Sequence, residues 1–213
     1  MFAQIRNTAL ALAAALFMGQ AAEAQGTHDW TGFHAGAMAG YGELKPKSNA
    51  FNLFQPNSDD AMYGVFLGYD YQFNNRFLVG VEADWAFTNM SSTVPCFNPA
   101  FTCNAGIDSI ATIRARAGMT FDRVLVYGTA GYAQMDYSGF TRNAVTTFPD
   151  SSDIGGWTWG LGLEYAVNDR VHIGAEARWA EFDRTVMAYD VPYSVAPETF
   201  SALLRVSIKL GGK

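Results

Sequence analysis

The chain is poor in the residues from which active sites and metal centres are usually built. Only two cysteines and three histidines occur among its 213 residues, so the side chains that ligate transition metals or pair a nucleophile with a base are scarce. The sequence contains neither a glycine-rich phosphate-binding loop nor a metal-ligand spacing. We therefore predict a protein that is not an enzyme and that carries no cofactor.

Basic residues are also few. Lysine and arginine together number 14 against 20 acidic residues, which gives a formal net charge of −6. A protein that binds nucleic acid needs a basic stripe to neutralise phosphate groups, and this chain has none. The charge balance argues against nucleic acid as a partner.

The chain lacks an apolar run long enough for a helical membrane span, which needs about 20 residues. Its only apolar run covers residues 9–18, after Arg6 and shortly before the small-residue sequence AEA. A basic start, a short apolar stretch and small residues before a cleavage site are typical of a secretory signal peptide. We predict a signal peptide over residues 1–24 and an exported barrel domain over residues 25–213.

The two cysteines, Cys96 and Cys103, lie close together in a stretch rich in Asn, Pro and Thr. Exported proteins fold in an oxidising compartment, where disulfides persist. A metal site is the alternative, but neither a histidine nor a third cysteine is near them in the sequence. We predict one disulfide that closes this segment.

Glycine and aromatic residues, by contrast, are abundant. The chain has 21 Gly, 16 Phe and 10 Tyr, which suits strands and turns rather than a helical bundle. The stretch WTGFHAGAMAGYG alternates between apolar positions and positions that are mostly glycine, and such alternation predicts a β-strand. Eight segments have this alternation: residues 30–42, 60–73, 77–87, 107–121, 124–137, 156–167, 171–179 and 200–210.

For the fifth segment the sequence does not predict which side faces outward, because both of its alternating sets of residues are apolar. One set contains Leu125, Tyr127 and Met135, and the other contains Val126, Ala130 and Tyr132.

Short and long connections alternate between the predicted strands. The short turns are residues 74–76, 122–123 and 168–170, which are rich in Asn, Asp and Arg. The long connections are residues 43–59, 88–106, 138–155 and 181–199. Antiparallel strands joined in this order place four long loops at one end of the sheet, and three short turns with both termini at the other.

The apolar side of these strands is predicted to face outward. In a soluble barrel the apolar side fills the interior, but eight strands enclose a space only just wide enough for side chains. Residues such as Trp157, Trp159 and Trp179 would overfill it. An apolar exterior with aromatics near the strand ends, around a glycine-and-charge interior, is typical of a membrane barrel. The predicted fold class is all-β, an eight-stranded antiparallel up-and-down transmembrane β-barrel, and a soluble periplasmic barrel is the less favoured reading.

Three motifs resemble the small outer-membrane β-barrel proteins of Gram-negative bacteria. They are W-x-G-F-x-x-G-x-x-x-G-Y from Trp30, G-Y-x-Y-Q from Gly68, and V-G-V-E-A-D from Val79. The sequence is most similar to the alphaproteobacterial surface antigens of the "porin family", whose transmembrane barrel is OmpA-like. The resemblance covers essentially the whole mature chain.

This resemblance implies a location in the outer membrane. It also implies contact with outer-membrane lipid and lipopolysaccharide, and assembly by the outer-membrane insertion machinery. Related barrels serve as structural proteins, adhesins, immune-evasion antigens and, in a few cases, hemin binders. Family members usually end on an aromatic residue, whereas this chain ends LGGK, so Leu210 is expected to take that role.

Ten charged residues fall on the inward side of the predicted strands. Counted from the short turns, Glu82, Arg116 and Glu176 lie about six residues up their strands, near the middle of the membrane at ~3.3 Å per residue. The whole predicted interior network is Asp70, Glu82, Asp84, Arg114, Arg116, Glu164, Glu176, Arg178, Arg205 and Lys209.

Acids and bases are equal in number in this set. Such balance predicts interlocking salt bridges, because an unpaired buried charge is costly. A selectivity filter is the alternative, but filters are biased in sign and a narrow interior leaves little room for water.

Catalysis would require one of the three histidines. His28 precedes the first strand, and His34 and His172 are predicted to point inward near the short-turn end, whereas barrel hydrolases act at the lipid-facing or extracellular rim. The sequence therefore predicts no catalytic residue.

The predicted function is that of an outer-membrane structural or surface protein. Its narrow barrel would carry four extracellular loops that serve envelope integrity or interaction with a host or ligand. The alternatives are a small nonspecific pore and a surface barrel that binds hemin or another ligand, for which Met187, Tyr189 and Tyr193 are the candidate contacts.

Overall fold

The structure is a computed structural model that describes residues 28–48, 58–73, 76–96, 98–190 and 192–210. The predicted signal peptide lies outside these residues. Within them, no helix is long and apolar enough to cross a membrane. The strands are β1 (Gly32–Ser48), β2 (Ser58–Gln72), β3 (Phe77–Pro95), β4 (Thr102–Phe121), β5 (Val124–Arg142), β6 (Thr147–Ala166), β7 (Val171–Phe182), β8 (Thr185–Ala188) and β9 (Pro192–Leu210).

Eight strands form one closed antiparallel ring, which confirms the predicted fold class. Neighbours in sequence pair from β1 to β7, β7 then pairs with β9, and β9 pairs with β1. Closure gives every strand of the ring two neighbours. The short strand β8 pairs with the start of β9 and continues the β7 side of the ring toward the long-hairpin end.

The apolar side of the strands faces outward, as the alternation predicts. On β4, Ile113 is 63% exposed whereas the next residue, Arg114, is 1% exposed. The glycines face inward where bulky side chains cross the lumen: a methyl group at Gly162 would overlap the ring of Tyr127. Glycine is required there by close approach.

The tight turns at one end are also as predicted. The backbone N–H of Phe73 donates to the carbonyl of Phe77 at 2.7 Å, and Val167 donates to Val171 at 2.9 Å. Between β4 and β5, Asp122 has φ 51°, a left-handed conformation that a two-residue hairpin turn requires and that Asp tolerates.

The predicted long loops are corrected by the structure. Most of residues 88–106 and 138–155 continue the strands beyond the apolar band, leaving only 96–101 and 143–146 as connections. These residues are polar because the strands extend above the apolar band, where their outward side chains meet water instead of lipid. Residues 181–199 likewise contain β8 and the start of β9.

The open question of β5 is settled by its neighbours. Leu125, Tyr127 and Met135 are buried in the barrel, and Val126 and Tyr132 are exposed on its outer face. The inward set is fixed by Tyr127, whose hydroxyl donates to Glu176 at 3.1 Å.

The barrel interior has three layers. At the short-turn end lies a small apolar cluster, the short-turn layer: Trp30, Leu78, Leu125, Tyr127 and Ala166. Buried charged side chains fill the middle. Beyond them lies a larger apolar cluster, the long-hairpin layer: Met38, Leu44, Met62, Phe66, Ala86, Met90, Ala105, Ile107, Ile110, Ala133, Met135, Tyr137, Ile154, Ala180, Phe182, Met187, Val195 and Leu203.

Candidate functional site

The buried charges meet around Glu82, which points into the lumen from β3. Arg114 Nη2 lies 2.7 Å from its Oε1, and Arg116 Nη1 lies 3.1 Å from its Oε2. Both arginines stand on the adjacent strand β4, where Glu82 is opposite Arg114 in the register. Arg205 reaches the same carboxylate from β9, with Nη2 2.5 Å from Oε2, so this single side chain links three strands.

Glu176 on β7 is the second centre of the cluster. Its carboxylate contacts Arg114, Arg178 at 3.1 Å and Arg205 at 2.6 Å. Arg114 and Arg205 therefore each bridge Glu82 and Glu176 across the lumen. Asp84 belongs to the same part of the cluster as Glu176. Its carboxylate lies 2.9 Å from both Arg114 and Arg178 and accepts a hydrogen bond from the Thr112 hydroxyl.

Asp70 and Glu164 lie on the short-turn side of these centres. Glu164 Oε1 is 3.3 Å from Arg116 Nη1 and 3.4 Å from Arg205 Nε, and Asp70 Oδ1 is 3.5 Å from Arg116 Nε. His34 stands between two acids, 3.4 Å from Glu82 Oε2 and 3.7 Å from Asp70 Oδ2. His34 was absent from the predicted network, although its predicted inward position was a signal that could have added it.

Lys209 does not join this cluster. Its ammonium donates to the backbone carbonyl of Asp29 at 2.6 Å and lies 3.6 Å from the Asp29 carboxylate. It follows Arg205 by four residues along β9, or about 13 Å toward the strand end at ~3.3 Å per residue. It therefore reaches the short-turn rim instead of the middle of the lumen.

The cluster thus contains five carboxylates and four guanidinium groups within ion-pair distance, all of them buried. Aromatic rings cover two of the cations. Arg116 lies 4.1 Å from the ring centroid of Tyr127, and Arg205 lies 3.9 Å from that of Phe66. Cation–π contacts of this kind are strongest where water is excluded. The arrangement can cross-link opposite walls of the barrel, and its acids are held by arginines rather than poised for proton transfer.

The long-hairpin layer was missed by sequence reasoning. Five of the eight methionines lie in it, and Met62 and Met90 close over Gly42. Methionine fills irregular apolar space well. The signal was present in the continued alternation of residues 88–106 and 138–155, which their polar composition hid.

The candidate ligand contacts near β8 belong partly to this layer. Met187 is fully buried, and Tyr189 packs against the layer half-buried. The side chain of Tyr193 lies outside the described part of the structure. Burial raises the pKa of the Tyr189 phenol, which is therefore neutral at physiological pH.

The segment before β1 folds under the short-turn end. The backbone N–H of Trp30 donates to Gln72 Oε1 at 2.9 Å, and the Thr31 hydroxyl accepts from the Gln72 backbone at 3.1 Å. His28 and Trp30 are buried there. Burial, with the nearby Lys209 ammonium, lowers the pKa of His28.

The predicted disulfide is confirmed. Cys96 and Cys103 are bonded across the β3–β4 connection, where both half-cystines are buried. Over the described ranges, no group of three or more His, Cys, Asp or Glu side chains is arranged to hold a metal ion.

A closed ring with an apolar exterior and a buried charged interior agrees with what comparison with known proteins finds. The family model described as "outer membrane protein beta-barrel domain" matches residues 8–199. The chain belongs to this family. It is an outer-membrane β-barrel protein, as the resemblance implied.

Several relatives are outer-membrane proteins of Brucella and Rhizobium. The 31 kDa outer-membrane immunogenic protein of Brucella melitensis is 28% identical over 74% of this chain and 73% of its own. The 22 kDa outer membrane protein of Rhizobium leguminosarum is 26% identical over 72% and 64% of the two chains. The crystal structure of Neisserial surface protein A aligns with a TM-score of 0.44 and 18% identity over 84% of this chain and 98% of that one. The relatives from Brucella and Rhizobium are named as outer-membrane proteins, and those of Brucella as immunogenic.

Proposed function

We propose that the protein is a closed surface barrel whose function is structural and presentational, and that it does not conduct solutes. The observation that carries this proposal is the stack of three buried layers through the lumen. The charged middle layer lies between the short-turn layer and the long-hairpin layer, and side chains in all three are buried. Eight strands leave space for side chains but little for a water column.

The charge cluster would act as the internal brace of this barrel. Arg114 and Arg205 each join acids on opposite walls. Removing one partner of such a buried pair leaves an uncompensated charge, which costs about 3–5 kcal/mol. The brace therefore favours one closed ring over expanded or misregistered alternatives.

The long hairpins would form the extracellular surface, and the short turns would face the periplasm. The β3–β4 and β5–β6 hairpins extend beyond the apolar band and end at 96–101 and 143–146, and loops on a rigid scaffold commonly carry recognition. Relatives are named for their immunogenicity, which supports exposure at the cell surface. The outer face would contact lipid and lipopolysaccharide, and the insertion machinery would assemble the ring.

Single-channel recording tests the closed lumen. Native protein purified from outer membranes is added to planar bilayers, with a general porin in the same bilayers as the positive control. We expect no stable conductance steps from this protein. Regular single-channel steps at the same amount of protein would contradict the closed lumen and support the small-pore alternative.

Epitope labelling tests the orientation. An epitope inserted at Val145, which is 92% exposed at the β5–β6 tip, should be labelled on intact cells. The same epitope at Asp169, in a short turn, should be labelled only after the outer membrane is permeabilised. The reverse pattern would contradict the proposed orientation without affecting the closed lumen.

A further inference from the structure

Two histidines face each other at the short-turn end of the lumen, outside the charge cluster. His28 comes from the segment before β1, and His172 is the second residue of β7. Their Nε2 atoms are 3.0 Å apart, and both side chains are buried. A hydrogen bond between these two atoms thus joins residues 144 positions apart, and a bound metal ion would replace its proton.

The other nitrogen of each ring faces an oxygen atom. His28 Nδ1 lies 4.0 Å from the Asp169 carboxylate, and His172 Nδ1 lies 3.5 Å from the Ser207 hydroxyl. Histidines that ligate metals almost always hydrogen-bond through their second ring nitrogen, which fixes the tautomer with its lone pair toward the metal. His172 makes such a contact with Ser207, whereas the Asp169 carboxylate is beyond hydrogen-bond distance of His28.

We propose that His28 and His172 bind one borderline transition-metal ion, such as Zn²⁺, Ni²⁺ or Cu²⁺, through their Nε2 atoms, with water in the remaining positions. Imidazole is a preferred ligand of these ions. Two imidazoles on a tetrahedral ion at ~2.0–2.1 Å each place their nitrogens about 3.3 Å apart. The observed pair would need to open by only a few tenths of an ångström.

Access and charge at the site suit a hydrated cation. His28 also lines a cavity of about 330 Å³ at the short-turn end, where the acids Asp29 and Asp122 share the lining with the cation Arg76 and with Gln72, Phe73 and Thr120. This cavity offers room for water ligands. The nearest ammonium, that of Lys209, is engaged by Asp29, which offsets its charge.

Trp30 provides a built-in reporter. Its indole stacks on His172 with centroids 4.6 Å apart and meets His28 edge-on at 4.9 Å. Ni²⁺ or Cu²⁺ held between the two histidines would lie close enough to quench the fluorescence of this tryptophan. The other tryptophans lie on the outer face of the strands, away from this segment.

The test titrates the untagged full-length mature protein, folded in detergent micelles, with NiCl₂ and CuCl₂. Tryptophan fluorescence reports quenching, and calorimetry with ZnCl₂ reports affinity and stoichiometry. We expect saturable binding of a single equivalent that excess Mg²⁺ does not displace, because Mg²⁺ prefers oxygen ligands. If binding does not saturate at metal concentrations up to about 1 mM, the dissociation constant exceeds the millimolar range. That result would overturn the proposal.

Matched variants locate the ion. H28Q and H172Q should each weaken binding by roughly tenfold or more, while H34Q, which changes the histidine in the charge cluster, should leave it unchanged. W30F should keep the calorimetric affinity and lose the quench. The two-histidine site would be contradicted if H172Q bound the metal as tightly as the wild type. It would also be contradicted if H34Q lost as much metal affinity as H28Q or H172Q. Heat-modifiable migration on gels identifies the variants that are folded. If only one of H28Q and H172Q folds, that variant is sufficient for the comparison with the wild type.

Discussion

At the scale of single residues, Arg114 is one of the cations that hold the charge cluster together. It contacts Glu82, Asp84 and Glu176, so Arg114→Ala would leave three buried carboxylates short of a partner. We expect a loss of about 3–5 kcal/mol in the free energy of unfolding, measured by urea titration of the folded barrel in lipid vesicles. Ile113→Ala, the outward-facing neighbour, is the matched control, and an equal effect of the two substitutions would contradict the bracing role.

Glycine on the inward side is required by close packing at particular positions. Gly162 faces the Tyr127 ring, whereas Gly128, one register position away and on the outer face of β5, has only ordinary contacts with Leu161. Gly162→Ala should therefore cost about 1–3 kcal/mol through overpacking, and Gly128→Ala should be nearly neutral. The same urea titration measures both. Similar stabilities of the two variants would show that the Tyr127 ring moves aside without cost.

The facing of individual residues follows largely from sequence alternation. Alternation separates Ile113 from Arg114 without reference to any contact, because successive side chains of a strand point to opposite faces. It cannot separate Arg205 from Lys209, which share one face and differ only in depth. Depth depends on strand tilt and register, which arise from the closure of the whole ring.

At the scale of elements, the β5–β6 hairpin carries a like-charge pair. Asp136 and Asp153 are directly opposite in the register, beyond the apolar band. Their hydrogen bond and charge raise the pKa of Asp153. Because the folded state then binds a proton on Asp153 more tightly than the unfolded chain, stability is gained as the pH falls toward the range where Asp153 protonates.

Asp153→Ala should therefore stabilise the hairpin at neutral pH and lose its advantage in mild acid. Limited proteolysis of the β5–β6 tip across pH 4–8 measures this. Asp150→Ala is the control with the opposite sign, because Asp150 accepts a hydrogen bond at 2.7 Å from the Ala188 backbone and its loss should increase cleavage. Faster cleavage of Asp153→Ala at pH 7 would contradict the like-charge interpretation.

The extent of the hairpins was the main element-level difference from the sequence prediction. Residues 88–106 and 138–155 are polar enough to suggest loops, yet they continue β3 to β6. Above the apolar band an outward residue meets water, so its polarity no longer distinguishes a strand from a loop. The inward residues, such as Met90 and Ile154, are the ones that retain the strand pattern.

At the scale of the whole molecule, the lumen contains two different barriers in series. The long-hairpin layer excludes water by apolar packing, and the charge layer fills the middle with paired groups. The sequence predicted the second barrier from charge balance. It could not predict the first, because the layer is assembled from one to three inward residues of every strand and becomes contiguous only when the ring closes.

Barriers in series predict that opening one is insufficient for conduction. Met62→Ala with Met90→Ala should open the space over Gly42, and Arg114→Ala should loosen the charge layer, yet neither change alone should produce conductance in planar bilayers. The three substitutions together should produce ion flux, because water would then contact both layers. Val65→Ala with Val81→Ala, two outward-facing positions, controls for general loosening of the barrel. If the methionine pair alone conducted as strongly as the triple variant, the charge layer would be no barrier, and the closed lumen would depend on apolar packing only.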